Sequence, residues 1–314
     1  MKTKLLVIKG NLKKIYSTHG IYITPTLKFL LTLTAMLIIN GNIGFMSQID
    51  NPLAAVVVAA LCSVLPVGVT VLILCLIILA HLYKLSMEIA IVSALIFMCM
   101  FILYYRFSPK DSYVLLLVPM LFFVKMPFLV PLFAGLVLTP VSLVSVTFGT
   151  IVFYILQYTK ENAALISNED SENGVTRMEG LLKDLLGNKE MMVMIITFAV
   201  VMVMVYCIRR LSVDYARTIA LVVGGMSQLI ILVGGSLVIE VSFAPVWLLI
   251  VLSLLSIGIV YILDIFVLSV DYQRTEYTQF EDDQYYYYVK AVPKVEMAAK
   301  HVNVKHINVQ KAKN

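Results

Sequence analysis

The stretch from Ser112 to Pro140 constrains the fold most, because it is apolar enough to cross a bilayer and yet is repeatedly interrupted. It reads SYVLLLVPMLFFVKMPFLVPLFAGLVLTP and contains Pro119, Pro127, Pro131, Pro140 and one lysine, Lys125. Each proline removes a backbone donor and clashes with the preceding turn, so these prolines predict helix breaks. Broken backbone at membrane depth is tolerated only where protein or a wet cavity covers it, and a lysine there normally faces a partner or water. The stretch is therefore the best candidate for a functional site.

The composition places the whole chain in the membrane class. It is 61% hydrophobic and only 14% charged, with a mean hydropathy of +0.93, whereas a soluble domain has about 25% charged residues. Apolar runs of about twenty residues recur, as expected for membrane-spanning helices. The alternating segments of about ten residues that outer-membrane barrels show are absent. The predicted fold is an all-α, polytopic transmembrane helical bundle.

The apolar runs predict about eight spans, with two uncertain segments. Residues 51–83 form either one tilted, kinked helix or a half-helix followed by a full span that begins at Pro66, and residues 112–138 either cross or re-enter. The predicted regions are a basic cytosolic N-terminal segment (1–28), an N-terminal transmembrane region of about five spans (29–158), a polar loop with an amphipathic helix (159–190), a C-terminal transmembrane region of three spans (191–270) and a cytosolic tail (271–314).

A weak internal repeat links the two uncertain segments. Pro52, the small residues near Ala59 and the pair Pro66-Val67 match Pro127, the small residues near Ala134 and the pair Pro140-Val141, at an offset of 74 to 75 residues. Short, proline-interrupted segments at corresponding positions of two halves point to a transporter-type binding site.

The distribution of lysine and arginine predicts the orientation. With eight crossings and the N-terminus inside, 17 basic residues fall on the inner side and six on the outer side. Lys84 is counted inside, whereas Arg106 and Lys110 are counted outside. Lys125 belongs to neither side. The positive-inside rule then puts both termini in the cytosol.

Three polar residues within the spans are candidates for an intramembrane site: Lys125, Asp264 and Gln228. A buried pair of Lys125 and Asp264 would offset part of each group's desolvation and would mark an ion or proton pathway. The alternatives are that Asp264 reaches interfacial water and that the Lys125 stem extends to the membrane surface. Gln228 is expected to form a hydrogen bond between helices.

Small residues predict one close helix contact in the C-terminal region. Ala216, Ala220 and Gly224 recur every four residues ahead of Gln228. This spacing lets two helix backbones approach closely, so these residues are predicted to pack against a neighbouring helix.

The sequence offers no enzyme, metal or cofactor motif. It has no HExxH, no P-loop, no GxSxG and no Cys or His spacing suited to zinc, so we expect no catalytic activity, no metal and no cofactor. The basic ends suit lipid headgroups rather than nucleic acid. Since a P-loop is missing, a pump of this kind would need a separate ATPase subunit as its partner.

The tail carries a resemblance. The run RTEYTQFEDDQYYYYVKAVPK (274–294), together with IRRLSVDYA (208–216), resembles an uncharacterised group of bacterial polytopic membrane proteins. This resemblance implies a bacterial plasma (inner) membrane location and no particular activity.

Two functions fit the sequence. The leading hypothesis is a transport-related membrane protein, either a permease-like subunit or a small carrier, whose site lies near Lys125. The alternative is a non-catalytic membrane scaffold that recruits a protein partner through its cytosolic tail. A transporter should have a polar, water-accessible cavity that reaches Lys125, whereas a scaffold should depend on residues 272–314.

Overall fold

The apolar runs fold into helices throughout the computed structural model, which describes residues 2–166, 174–213, 215–239, 245–268, 276–281 and 286–291. These residues form twelve α-helices, one 3₁₀ turn at Pro140–Ser142 and one two-stranded β-hairpin. The elements are α1 (Lys2–Ile43), α2 (Pro52–Val64), α3 (Val67–Leu85), α4 (Met87–Phe107), α5 (Ser112–Phe123), α6 (Leu129–Val137), α7 (Leu143–Glu161), α8 (Ala163–Ile166), α9 (Gly174–Gly187), α10 (Lys189–Arg209), α11 (Ala216–Ile239), α12 (Val246–Leu268), β1 (Glu276–Glu281) and β2 (Tyr286–Ala291).

Seven of these helices, within the described residues, are long and apolar enough to cross a membrane. They are α1, α3, α4, α7, α10, α11 and α12, and α7 is extended at its start by the 3₁₀ turn. The helices α2 and α5 are apolar but shorter. The predicted all-α transmembrane bundle is therefore confirmed.

Side-chain caps fix where three of the helices begin. The Asn51 side chain accepts a hydrogen bond from the Leu53 amide at the start of α2, where Pro52 needs no donor. Ser86 caps α4, and Asn188 caps α10 by accepting from the Met191 amide at 3.0 Å. Caps of this kind satisfy amides that have no partner in the first turn.

Polar contacts define two opposite ends of the bundle. At one end Lys28 Nζ donates to the Leu65 carbonyl (3.0 Å), and the Ser108 and Ser145 hydroxyls are bonded at 2.8 Å. We call this end the hairpin face, after the helical hairpin of residues 112–138 that starts and ends there. At the other end, the far face, Lys160 Nζ donates to the Asn42 side chain at 2.7 Å.

Helix α5 enters the bundle from the hairpin face and lies beside α7, running in the same direction. A Cβ atom on Gly149 of α7 would lie 2.6 Å from Val118 Cβ, and four residues further along both helices Phe122 stacks on Phe153. Because successive contacts move four residues towards the C-terminus on both helices, the two helices run in parallel.

Helix α6 returns to the hairpin face. A Cβ atom on Gly135 would meet Val205 of α10, and the Leu138 carbonyl accepts a 2.7 Å hydrogen bond from Arg209 at the end of α10. Since α5 starts and α6 ends on the same face, residues 112–138 form a re-entrant hairpin and do not cross. Of the two alternatives for this stretch, the structure has the re-entrant one.

The segment 51–83 consists of two helices that run in opposite directions. Helix α2 leads from the far face to Leu65 at the hairpin face, and α3 leads back from Pro66. The 13 residues of α2 extend about 20 Å at the helical rise, which is short for a bilayer core of about 30 Å. The half-helix alternative therefore holds. When α2 is counted, the described helices run between the two faces eight times.

This path of the chain changes the end of the bundle at which three basic residues lie. Gly68, near the start of α3, faces Ser112 and Tyr105, so the neighbouring Arg106 and Lys110 lie at the hairpin face together with Lys28. Lys84, at the end of α3, lies at the far face. The sequence placed Lys84 on the side of Lys28 and placed Arg106 and Lys110 on the opposite side. The structure has the reverse arrangement, because 51–83 is two helices and 112–138 does not cross.

Two prolines do not break their helices as predicted. Pro119 lies inside α5, which continues for four more residues, and Pro131 lies in the first turn of α6. A proline in the first turn replaces an amide that has no intrahelical partner, so it costs little there. Pro66, Pro127 and Pro140 do lie at helix boundaries, since they precede α3, precede α6 and open the 3₁₀ turn.

The chain divides into two compact units. The larger unit is residues 19–264, which hold the helical bundle. The smaller unit is residues 1–18 and 265–314, in which Lys9 Nζ donates to the Ile265 carbonyl and β1 pairs antiparallel with β2. The tail residues 269–275, 282–285 and 292–314 lie outside the described residues, as does most of the predicted loop at 167–173.

Candidate functional site

The tip of the re-entrant hairpin lies near the middle of the bundle. Residues 124–128 join α5 to α6. Just before them, the centroid of the Phe122 ring lies 5.8 Å from the centroid of the Phe198 ring. Phe198 is the tenth of the 21 residues of α10. The tip is thus about 15 Å from either end of that helix at the helical rise.

Lys125 ends α5 in a conformation that normally belongs to glycine. Its φ is 61°, its amide donates to the Phe122 carbonyl at 2.9 Å, and the Met126 amide donates to the Leu121 carbonyl at 2.8 Å. These two bonds form the Schellman pattern, in which the left-handed residue is usually glycine. A side chain in this conformation costs about 1–2 kcal/mol. The backbone at this position therefore favours glycine over the lysine that is present.

The Lys125 side chain is exposed at the tip. Among the described residues its ammonium has no hydrogen bond and no ion pair. A charged group at this depth costs several kcal/mol unless water, a ligand or an opposite charge compensates it.

Gln228 lies at the same depth as the tip. Its amide is fully buried, and neither of its polar atoms has a hydrogen-bond partner among the described residues. The predicted hydrogen bond between helices is therefore not formed with any of them. A Cβ atom on Gly224, one turn earlier, would lie 3.0 Å from the Leu132 side chain of α6. Because α11 and α6 run in opposite directions, one further turn along α11 reaches the level of Phe128, where α6 begins.

Asp264 is not at this depth. Gly225 of α11 meets Ile257 of α12, and Asp264 is seven residues further towards the hairpin face, about 10 Å at the helical rise. Lys125 lies on the opposite side of Gly225, towards the far face. The structure therefore does not bring Lys125 and Asp264 together.

The predicted small-residue stripe lies against α10. Ala220 is fully buried, and a Cβ atom on Gly224 would lie 2.4 Å from a Val205 methyl group. Ala216, at the start of the helix, is partly exposed. Close approach of α10 and α11 at Gly224 leaves no space for a side chain there.

Tyr154 connects the hairpin tip to the far face. Its ring meets Phe122 edge to face, with centroids 6.1 Å apart, and it is 3% exposed. Its hydroxyl faces the Glu190 carboxylate without meeting hydrogen-bond geometry. Sequence reasoning missed this residue; the available signal was a tyrosine inside a predicted span, one turn before its polar end.

Carboxylates from three helices surround this end of the bundle. Glu161 ends α7, Asp184 lies in α9 and Glu190 begins α10, and Glu161 acts electrostatically on both of the others. The pKa of Asp184 is raised mainly by partial desolvation, although its side chain is exposed at the surface, and the Glu161 charge raises it further. Within the described residues no ion pair compensates these three groups.

The cavity beside the hairpin is apolar. Its volume is about 50 Å³, and it lies between α1, α3, α5 and α7, where Pro119, Met120 and Phe123 line it from α5. Its lining is almost wholly apolar, so it could hold a hydrocarbon group but does not suit a charged ligand.

No metal centre is formed by the described residues, since no group of three or more His, Cys, Asp or Glu side chains is placed to hold an ion. Cys62 and Cys75 are buried, and Cys99 and Cys207 are exposed, all four as free thiols.

Neither the family models, the curated proteins nor the solved structures compared with this chain gave a match. The class of the protein therefore rests on its own helices: it is a multi-pass α-helical membrane protein.

Proposed function

We propose that this chain is transport-related, either a permease-like subunit or a small carrier, and that its site is the tip of the re-entrant hairpin. The observation that supports the proposal is Lys125, a lysine without a protein partner in the described residues, held where two half-helices meet. Discontinuous helices that meet near the bilayer midplane are the usual scaffold of transporter binding sites.

The conformation of Lys125 strengthens this proposal. A left-handed lysine carries both a backbone cost and a desolvation cost that glycine would avoid. Strained residues of this kind concentrate at functional sites. The ammonium would attract a solute with a negative or hydrogen-bond-accepting group.

The proposal assigns no enzymatic chemistry to the chain. If transport is driven by ATP, a separate ATPase subunit supplies the hydrolysis, since the sequence has no P-loop.

We further propose that the hairpin face is cytosolic and that the membrane is the bacterial inner membrane. When each terminal segment is counted with the end of the bundle from which it leaves, 18 of the 24 lysines and arginines belong to the hairpin face and five to the far face, with Lys125 between them. The positive-inside rule supports this orientation, with both termini cytosolic.

Replacement of Lys125 by glycine tests the site. Lys125→Gly removes the ammonium and keeps the left-handed cap, so the variant should fold at least as well as the natural protein. Currents from proteoliposomes on a solid-supported membrane, challenged with a panel of inorganic ions, amino acids and carboxylates, should vanish in Lys125→Gly and in Lys125→Leu. The matched control is Lys110→Leu, an exposed lysine ahead of α5, which should keep the current. Currents unchanged in Lys125→Gly would contradict the proposal.

Access of water to the tip is tested separately. In a background without the four native cysteines, Lys125→Cys should react with a membrane-impermeant thiosulfonate. Leu95→Cys, an exposed apolar position inside α4, should remain unmodified in the bilayer. Equal protection of the two positions would mean that Lys125 faces lipid and would remove the main support for transport.

A second candidate function is a scaffold, and the β-hairpin of the tail favours it. The register pairs Gln279 with Tyr288 and Glu281 with Tyr286, and these two tyrosines are 76% and 69% exposed. Exposed tyrosines on one strand provide a surface for a protein partner. Deletion of residues 272–314 should abolish the cellular phenotype if the scaffold role is correct, whereas Lys125→Gly should leave it intact.

A further inference from the structure

Two arginines at the hairpin face gather around a single tyrosine. The Arg209 and Arg210 guanidinium carbons lie 4.8 Å and 4.6 Å from the centroid of the Tyr206 ring. The charge of Arg217, at the start of α11, also acts on Arg209. We call Tyr206, Arg209, Arg210 and Arg217 the arginine cluster.

The arrangement concentrates positive charge that cannot be lost. A guanidinium stays protonated in proteins, so Arg209 and Arg210 repel each other across the ring. Cation–π contacts with Tyr206 offset part of this repulsion. Asp214, the acidic residue of the α10–α11 connection, lies outside the described residues.

One member of the cluster is fixed in place. Arg209 is half-buried and donates to the Leu138 carbonyl at 2.7 Å, whereas Arg210 is exposed. A single carbonyl engages one of the five N–H groups of Arg209. The remaining donors of the two guanidiniums lie at the end of a helix long and apolar enough to span a membrane, where lipid headgroups are expected.

We propose that the arginine cluster binds a phosphate group, supplied by the headgroup of an anionic phospholipid. Guanidiniums match the geometry of phosphate oxygens and bind them through paired, charge-assisted hydrogen bonds. Basic pockets between transmembrane helices on the cytosolic side are suited to such headgroups. Through Arg209 and Leu138, a bound lipid would also hold the end of α6 and with it the re-entrant hairpin.

Thermal unfolding of the detergent-purified chain tests this site. Phosphatidylglycerol should raise the Tm of the natural protein by several degrees relative to phosphatidylcholine, because a ligand that binds only the folded state stabilises it. Arg210→Gln, which leaves the Arg209–Leu138 bond intact, should lose most of this shift. Arg106→Gln, an exposed arginine on the same face at the end of α4, should keep it.

The remaining outcomes separate the two sources of phosphate. An equal shift with inorganic phosphate would retain the phosphate site and overturn the lipid as its source. Equal lipid shifts in Arg210→Gln and Arg106→Gln would overturn the cluster as the binding site, as would the absence of any difference between the two lipids.

Discussion

Phe122, the second-last residue of α5, stacks on Phe153 of α7 with ring centroids 4.5 Å apart and ring planes inclined by 22°. Offset aromatic pairs of this kind contribute about 0.5–1.5 kcal/mol beyond the area that they bury. The same Phe122 ring also meets Tyr154 and Phe198. These contacts fix the depth of the hairpin tip and therefore the position of Lys125.

Gly149 should be essential for seating α5. In Gly149→Ala the new Cβ would lie 2.6 Å from Val118 Cβ, and overpacking of this kind costs about 1–3 kcal/mol. We expect a lower Tm by thermal unfolding in detergent. Gly258→Ala in α12, where a Cβ meets nothing within 4 Å, should keep the Tm of the natural protein or raise it slightly, because alanine is the better helix former. Equal behaviour of the two variants would show that α5 does not pack on α7 at this point.

Two glycines of α11 form a matched pair for the contact with α10. Gly224→Ala would place a Cβ 2.4 Å from a Val205 methyl group, whereas Gly234→Ala would meet nothing within 4 Å. The first change should destabilise the protein by about 1–3 kcal/mol, and the second should stabilise it slightly because alanine is the better helix former. Unfolding by titration with SDS from a mild detergent measures the stability of both variants. A Gly224→Ala variant more stable than Gly234→Ala would contradict the observed packing.

His81 should hold the connection between α1 and α2. Its Nδ1 accepts a 3.2 Å hydrogen bond from the Met46 amide, and its side chain is fully buried. His81→Ala leaves that amide without a partner, which costs about 1–3 kcal/mol. His81→Asn can place an acceptor at the Nδ1 position and should restore much of the lost stability. If Asn is no better than Ala, the hydrogen bond is not what stabilises the connection.

Asp184 should make stability depend on pH. Partial desolvation and the Glu161 charge raise its pKa above the ordinary value of 3.8, and because the side chain is exposed the effect on stability should be small. The folded protein therefore disfavours ionised Asp184, so this residue lowers stability once the pH exceeds its raised pKa. Asp184→Asn should raise the Tm at pH 7.5, and the gain should shrink as the pH falls towards 3.8.

The control for Asp184 is Glu179→Gln, which removes a second exposed carboxyl from the same helix. This change should alter the Tm little and without a matching trend in pH. A gain in Asp184→Asn that does not vary between pH 7.5 and pH 4 would mean that the charge of Asp184 is not its cause.

The sequence predicts the membrane class and most of the spans because runs of apolar residues are a strong local signal. It also predicts a boundary at Pro66, since a proline removes a donor that a continuous helix would need. It could not decide whether 112–138 crosses or re-enters. That choice depends on side chains far apart in sequence, such as Phe122 with Phe153 and Leu138 with Arg209.

The candidate site could likewise be predicted from the sequence only in part. Lys125 stands out in the sequence because charge is rare inside apolar runs. Its left-handed backbone and its place at the tip follow from the capping bonds at Phe122 and Leu121, which composition does not reveal. The suggested pairing with Asp264 assumed that two intramembrane charges meet, and depth along the helices prevents this.

The most direct test of the account is the side from which the two ends of the hairpin can be reached. Lys110→Cys and Thr139→Cys, both exposed positions that flank residues 112–138, are introduced singly into a cysteine-free background. A membrane-impermeant maleimide is then applied to right-side-out and to inside-out vesicles. A re-entrant hairpin predicts that both cysteines react from the same side, the inside-out preparation giving the signal in each case. Labelling of the two cysteines from opposite sides would show that the segment crosses the membrane and would contradict the hairpin on which the proposed site depends.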